Sequence, residues 1–184
     1  KKVIVSVGRL VHRKGQDHLI ESMPAILKVH PDAHLLLVGK GPSLEYLAKL
    51  VAKNGLQDSV SFIGRIQYAE LPAYICCGDI FAMPSRSRLM GLEVEGLGIV
   101  YLEASACGLP VIAGKSGGAP DAVIDGTTGL VVDGTNNDEI AKAAIALLSD
   151  PSKAQQMGAA GRQWIIDEWR WEIWAQKFES LLNK

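Results

Sequence analysis

The chain has 184 residues, of which 48% are hydrophobic and 21% charged, as is usual for a single globular domain with a sizeable core. Its formal net charge of −1 provides no general positive field for nucleic acid or an anionic membrane, so any anion site must be local. No apolar run approaches the roughly 18 residues that a membrane span requires, and no charged-then-apolar secretion leader is recognisable.

Cysteine and histidine spacing does not suggest a metal site. Cys76, Cys77 and Cys107 are an odd number without a spaced framework, which favours a reducing compartment and packing roles for all three. The four histidines are scattered along the first 34 residues. We therefore expect neither a metal ion nor another cofactor.

Short apolar runs alternate with longer amphipathic stretches. The runs predict strands at 3–7, 35–38, 60–63, 80–83, 110–113 and 129–132. The amphipathic stretches predict helices at 15–30, 43–54, 69–77, 98–107, 137–149, 152–168 and 171–183. Ser43 is the expected N-cap of the second helix, and Pro24 is expected to kink or shorten the first. The alternation predicts an α/β fold with a doubly wound, Rossmann-like parallel sheet of about six strands.

In such a sheet, ligands bind beyond the carboxyl ends of the strands. Glycine or proline follows five of the predicted strands, as Gly8, Gly39, Gly64, Pro84 and Gly114. Glycine lets a backbone approach a ligand closely, although each of these positions also suits an ordinary turn. We therefore expect a site at this edge, without any one glycine identifying it.

A basic segment, residues 8–15, joins the first strand to the first helix. Arg9, Arg13 and Lys14 lie within six residues beside a helix N-terminus, which suits a diphosphate. The segment matches neither a Walker loop nor the G-x-G-x-x-G motif. A solvated basic turn is the alternative interpretation.

Two glutamates, Glu95 and Glu103, flank a glycine-rich helix start near Gly98. On one helix they would be separated by about 12 Å along the axis and about 80° around it. Retaining glycoside hydrolases need carboxyl groups roughly 5 Å apart, so that chemistry is disfavoured. Instead, Glu95 can reach a ligand over the helix end, Glu103 can accept hydrogen bonds from a ribose, and the amides near Gly98 and Ile99 can face an anion. A purely solubilising Glu103 and an ordinary connector at 114–121 are the alternatives for these segments.

Together these segments resemble the C-terminal domain of retaining GT-B glycosyltransferases of the group 1, or family 4, kind. The motifs that carry the resemblance are Arg9…Lys14, Gly39-Lys40-Gly41-Pro42, Phe62-Ile63-Gly64, Glu95 and Glu103 with seven residues between them, and Gly117-Gly118-Ala119-Pro120-Asp121. The resemblance covers nearly the whole chain and implies that residues 1–184 are the nucleotide-sugar-binding half of a GT-B fold. We expect the N-terminal acceptor domain to precede Lys1 in the full protein.

The resemblance also implies a role for each matching position. Arg9 and Lys14 would bind the donor diphosphate and Glu95 the transferred sugar, and these three are the expected catalytic residues. Glu103 would bind the ribose, and backbone groups would hold the phosphate and the base. The expected donor-binding residues are Gly8, Gly64, Arg65, Ile66, Leu97, Gly98, Ile99, Val100 and Glu103.

Residues 84–88 and 91–103 look most like those of phosphatidylinositol-mannoside mannosyltransferases, although Glu93 stands where an Asp is expected and the preceding loop is poorer in glycine. This resemblance implies a GDP-mannose donor, a metal-independent reaction, a lipid or glycan acceptor, and no nucleic-acid partner. It also implies a cytoplasmic protein, peripheral at the inner membrane face through the missing domain. A nucleotide-sugar 2-epimerase-like GT-B enzyme and a non-catalytic nucleotide-binding α/β module are the alternatives. Four tryptophans at 164–174 are expected either in an inter-domain surface or in the core.

Overall fold

The computed structural model describes residues 1–183, in which six parallel strands form one sheet in the order β3-β2-β1-β4-β5-β6. The strands are β1 (Lys2–Val7), β2 (Ala33–Val38), β3 (Val60–Gly64), β4 (Ile80–Met83), β5 (Val111–Gly114) and β6 (Gly129–Val132). The helices are α1 (Gln16–Val29), α2 (Leu44–Lys53), α3 (Leu71–Cys76), α4 (Ile99–Ala106), α5 (Asn137–Ser149), α6 (Pro151–Glu168) and α7 (Trp171–Leu182).

Every predicted strand and helix is present, and the departures from prediction are local. The helix predicted at 69–77 begins as a 3-10 turn before α3, and α1 runs through Pro24 without a break. Ser43 occupies the N-cap position of α2, as predicted, but its side chain makes no capping hydrogen bond. Its backbone is not extended (φ −84°, ψ 2°) as in a usual N-cap, and its N–H donates to the Leu10 carbonyl.

The sheet is covered on both faces, which explains why its strands are continuous apolar runs. Successive side chains of β1 enter different cores because side chains alternate across a strand. Ile4 packs in the core under α1, α2 and α5, whereas Val5 packs with residues of α3 and α4 on the opposite face. Both residues are fully buried.

The strand order fixes where a ligand can enter. From β1 the chain winds outward through β2 and β3, and it then returns to place β4 on the other side of β1. The connections leaving β1 and β4 therefore diverge, and a crevice opens at their carboxyl ends. The segment beginning at Gly8 follows β1, and the segment leading to Glu95 follows β4.

The C-terminal tryptophans lie outside the main core. The Trp169 ring lies between those of Trp164 and Trp174, with ring centroids 5.5 and 5.6 Å away, while Trp171 is 86% exposed. No residue of α7 is buried in the described chain. Core packing was therefore the wrong alternative for Trp171.

The cysteines also depart from prediction. Cys76 and Cys77 are exposed because they end α3 at the surface, so the packing role predicted for all three was wrong for these two. Cys107 is partly buried, and burial raises the pKa of its thiol to about 12, with a contribution from the neighbouring Cys76 thiol. All three thiols are free.

Candidate functional site

Two adjoining cavities open at the carboxyl edge of the sheet, and Val7 and Gly8 line both. The α4 cavity, of 430 Å³, is also lined by Lys14, Glu95, Leu97, Gly98, Ile99, Val100 and Glu103. The β3 cavity, of 750 Å³, is also lined by Arg9, Val38, Gly39, Lys40, Arg65, Ile66, Gln67, Tyr68 and Leu71. The structure thus gathers nearly all predicted site residues at one edge, but it divides them between two compartments.

The α4 cavity contains a helix N-terminus. Gly98 precedes α4 in the left-handed conformation (φ 75°), and a Cβ at this position would overlap the ring of Tyr101. Tyr101 cannot easily move, because it is fully buried and its hydroxyl donates to the Met83 carbonyl at 2.7 Å. Glycine is therefore required here, and the first amides of α4, including that of Ile99, have no acceptor within the helix. These amides give the cavity a partial positive charge.

A buried ion cluster forms another part of the α4 cavity wall. Lys14 Nζ lies 2.9 Å from the Glu95 carboxylate, and Arg13 Nη1 lies 2.5 Å from Glu95 Oε2. The Glu95 side chain is only 6% exposed, so both contacts are shielded from water. We did not anticipate the Arg13 contact from the sequence, because its partner lies 82 residues away along the chain.

The small-residue loop after β5 supports the Glu95 backbone. The Glu95 N–H donates to Ser116 Oγ at 3.0 Å, and the Glu95 carbonyl accepts from the Gly118 N–H at 3.3 Å. A Cβ on Gly117 would overlap that same carbonyl. Segment 114–121 is therefore more than an ordinary connector, since it fixes the backbone from which the Glu95 side chain projects.

A second ion pair joins the first turn of α1 to the loop that follows β4. Arg86 binds Asp17 through two hydrogen bonds, of 2.7 and 2.6 Å, and its backbone N–H donates to the Arg13 carbonyl at 2.8 Å. Burial by itself would raise the pKa of Asp17, but the hydrogen bonds and charge of Arg86 outweigh it, so this pKa is lowered. Sequence reasoning missed this pair, because a single Arg and Asp in separate segments carry no spacing signal.

Glu103 lies near the boundary of the two cavities. It is half-buried on α4, and burial raises the pKa of its carboxyl group. The hydroxyl of Tyr68, which lines the β3 cavity, favours the ionised form of this carboxyl group and partly opposes the increase. Glu103 is thus placed to accept hydrogen bonds from a group that bridges the cavities. A half-buried carboxylate in a cavity wall does not fit the alternative interpretation, in which Glu103 serves only solubility.

The β3 cavity departs from two expectations. Arg9 is exposed at this cavity rather than beside Lys14, and only Val7 and Gly8 are common to the two linings. Gly64 does not line either cavity, although its carbonyl accepts a hydrogen bond at 2.8 Å from the N–H of Gly39, which does line the β3 cavity. The predicted Arg65 and Ile66 do line the β3 cavity, beside Tyr68.

Residues 1–183, the described part of the chain, contain neither a cluster of metal ligands nor a membrane-spanning helix. Within this range, no three His, Cys, Asp or Glu side chains are grouped so that they could hold a metal ion. Over the same residues, every helix is too short or too polar to cross a membrane. Metal independence stays a prediction.

Residues 1–164 match the family of glycosyl transferases group 1. The chain belongs to this family. The group 1 domain is 51% identical over 183 residues to the GDP-mannose-dependent alpha-(1-6)-phosphatidylinositol monomannoside mannosyltransferase of Mycolicibacterium smegmatis. That alignment covers 100% of this chain and 48% of the relative, so the chain spans about half of the relative's length.

Solved structures agree with the fold of a group 1 domain. The C-terminal domain of the group 1 glycosyl transferase LpcC from Francisella tularensis superposes with a TM-score of 0.82 at 28% identity, covering 93% of this chain and 87% of that one. HepE of Anabaena in complex with UDP-glucose gives a TM-score of 0.82 at 26% identity, covering 99% of this chain and 49% of HepE. The predicted α/β, Rossmann-like half of a GT-B fold is confirmed.

Proposed function

We propose that this domain binds the nucleotide-diphosphate sugar of a retaining hexosyltransferase, with GDP-mannose as the donor. The observation that supports this most directly is the α4 cavity, where the Lys14 ammonium and the free amides of α4 face a common space beside Glu95. Cations and helix amides stabilise a departing diphosphate without a metal ion. The mannosyltransferase relative from M. smegmatis uses GDP-mannose, which supports this choice of donor.

In this proposal the two cavities receive different parts of the donor. The diphosphate lies in the α4 cavity between Lys14 and the amide of Ile99, and Glu95 accepts hydrogen bonds from the sugar hydroxyls. The ribose meets Glu103 at the boundary, and the base enters the β3 cavity beside Arg65 and Ile66. Arg9, exposed at that cavity, contributes a longer-range attraction to the diphosphate.

The reaction would break the bond between the anomeric carbon and the diphosphate and join that carbon to an acceptor hydroxyl on the same face. The departing diphosphate takes the acceptor's proton, while Lys14 and the α4 amides stabilise its charge. For the whole protein, we propose a lipid acceptor of the phosphatidylinositol type and action at the cytoplasmic membrane face, because the M. smegmatis relative acts on phosphatidylinositol monomannoside.

We also propose that the other half of the protein packs against α7. Large apolar side chains lie along this helix and stay exposed in the described chain: Trp171, Trp174, Phe178, Leu181 and Leu182. An exposed apolar surface of this length on a helix usually marks an interface. The coverage of only 48% of the M. smegmatis relative supports a further domain as its occupant.

Calorimetry on the 184-residue chain tests the donor assignment. We expect GDP-mannose to bind more tightly than UDP-glucose or UDP-N-acetylglucosamine. Lys14→Ala should weaken GDP binding about ten- to hundredfold, because a hydrogen bond to a charged group contributes about 1.5–3 kcal/mol. Arg9→Ala should cost about two- to fivefold, since this side chain is exposed.

Lys115→Ala is the matched control, because Lys115 is an exposed lysine at the same sheet edge that lines neither cavity. Equal GDP affinity for the wild type and Lys14→Ala would remove the diphosphate assignment. For the whole protein, product analysis with donor and lipid acceptor separates transfer from the epimerase alternative, which would change the sugar without an acceptor.

A further inference from the structure

Arg13 differs from the other two cations of the basic segment. Arg9 lines the β3 cavity and Lys14 lines the α4 cavity, whereas Arg13 is in neither lining. Its guanidinium instead binds Glu95 Oε2 at 2.5 Å, and its side chain is 28% exposed. Arg13 therefore contacts the candidate donor site only through Glu95, among the contacts of the described residues.

The charges in this cluster are unequal. One carboxylate, on Glu95, faces two cations, Arg13 and Lys14, so the cluster carries a net charge of +1. A lysine ammonium has three donors, and Lys14 needs only one of them for Glu95. Without Arg13, the carboxylate would have Lys14 as its near cation and the remaining pair would be neutral. A carboxylate with one counterion holds it more firmly against competition from an incoming anion.

We propose that Arg13 is a positioning residue that retains the Glu95 carboxylate while the Lys14 ammonium turns to the donor diphosphate. This inference rests on the proposed function, because it assumes that a diphosphate enters the α4 cavity. In the structure, Arg13 and Lys14 share Glu95. When the donor binds, Arg13 keeps the Glu95 side chain in place, and Lys14 becomes free to bind the phosphates.

A double-mutant cycle on GDP binding tests this coupling. We expect Arg13→Met to weaken GDP binding about five- to tenfold, the usual size of coupling between contacting residues, because Glu95 then competes with GDP for Lys14. In the Glu95→Gln background the same change should cost about twofold or less, because the competing carboxylate is gone. Arg13→Lys should stay within about twofold of the wild type, since it keeps a cation beside Glu95.

A general electrostatic effect must be separated from this coupling. Lys115→Met removes an exposed cation at the same sheet edge, so any loss of GDP affinity that it causes should be the same in the wild-type and Glu95→Gln backgrounds. The inference would be overturned if Arg13→Met lost the same GDP affinity in the wild-type and Glu95→Gln backgrounds. It would also be overturned if Glu95→Gln restored GDP affinity to the Lys115→Met variant as much as to the Arg13→Met variant.

The same measurements distinguish a failure of the role of Arg13 from a failure of the proposed function. If Arg13→Met does not melt cooperatively, Arg13→Gln replaces it in the same cycle and carries the same expectation. A wild-type chain that binds neither GDP nor GDP-mannose contradicts the proposed function and this inference together. A wild-type chain that binds GDP, with Arg13→Met losing equal affinity in both backgrounds, contradicts only the role of Arg13.

Discussion

Glu103 shows how a single residue connects burial to pH dependence. Its position on α4 half-buries the carboxyl group, and this burial raises the pKa of Glu103. The Tyr68 hydroxyl partly opposes this increase in the pKa. A carboxylate accepts hydrogen bonds from ribose hydroxyls most strongly when it is ionised. Nucleotide affinity should therefore be complete above the raised pKa of Glu103 and fall as the pH decreases through it.

Replacing Tyr68 by Phe should move this acid limb to higher pH. The substitution removes the hydroxyl that favours the ionised form of Glu103, so the pKa of its carboxyl group rises further. GDP affinity measured by calorimetry from about pH 4.5 to 7 checks the shift. Tyr74→Phe makes the same chemical change on α3, outside both cavity linings, and should leave the profile unchanged.

Glu103→Gln completes this test, because it removes the titrating group. Its affinity should be lower at neutral pH, and the acid limb of the wild type should be absent. An acid limb that persists unchanged in Glu103→Gln would assign the pH dependence to the nucleotide phosphates instead.

At the scale of elements, the site depends on two segments that the sheet topology brings together. The chain after β1 and the loop after β4 are joined by Arg13–Glu95 and by Arg86–Asp17. The second pair is well buried, with side chains 11% and 8% exposed. Removing one partner of a buried ion pair leaves the other charge without compensation, which costs far more than an exposed pair contributes.

Arg86→Met should therefore lower the free energy of unfolding by about 3–5 kcal/mol, measured by urea denaturation near neutral pH. Arg88→Met is the matched control, because Arg88 forms a more exposed pair with Glu93 in the same loop and should cost about 0–1 kcal/mol. If the two variants lost similar free energies of unfolding, the buried Arg86–Asp17 pair would contribute no more to stability than the more exposed Arg88–Glu93 pair.

The pH dependence of this stability follows from the lowered pKa of Asp17. Because the folded state lowers the pKa below its ordinary value of 3.8, the pair's contribution is fully present above that value and is lost as the pH falls through the folded pKa. The difference in stability between the wild type and Arg86→Met should accordingly narrow below about pH 4.

At the scale of the whole molecule, we expect α7 to contribute little to the stability of this domain by itself and much more to the stability of the full protein. Its apolar side chains are exposed, with Trp171 at 86% and Phe178 at 63%. Replacing exposed side chains changes the stability of a domain little, whereas the same residues contribute strongly once a partner buries them.

The double variant Trp171→Ser/Phe178→Ser should leave the melting temperature of the 184-residue chain within about 2 °C of the wild type. In the full-length protein, the same variant should lower the melting temperature and make the α7 region more sensitive to protease, because the proposed inter-domain contact is weakened. Gln176→Ser, an exposed polar change on the same helix, is the control. An unchanged full-length protein would contradict the proposed role of α7.

Much of the architecture was predictable because it depends on local patterns. Each strand is a short apolar run buried on both faces, as Ile4 and Val5 illustrate, and each helix has its own apolar periodicity. Departures occurred where tertiary contacts override local preference: the Ser43 N–H binds the Leu10 carbonyl and its side chain makes no capping hydrogen bond, and Cys76 reaches the surface at the end of its helix.

The sequence alone determined the fold class and the sheet edge that carries the site, because both follow from the alternation of apolar runs and amphipathic stretches along the chain. It also identified Lys14, Glu95 and Glu103 as candidates, because each stands out within its own segment and matches a motif of the family that the chain resembles. Only the tertiary structure decided that Arg13 binds Glu95, that Arg86 binds Asp17, and that Arg9 and Lys14 line different cavities. These contacts join residues up to 82 positions apart. Their geometry is set by the order of β1 and β4 in the sheet, which local periodicity does not encode.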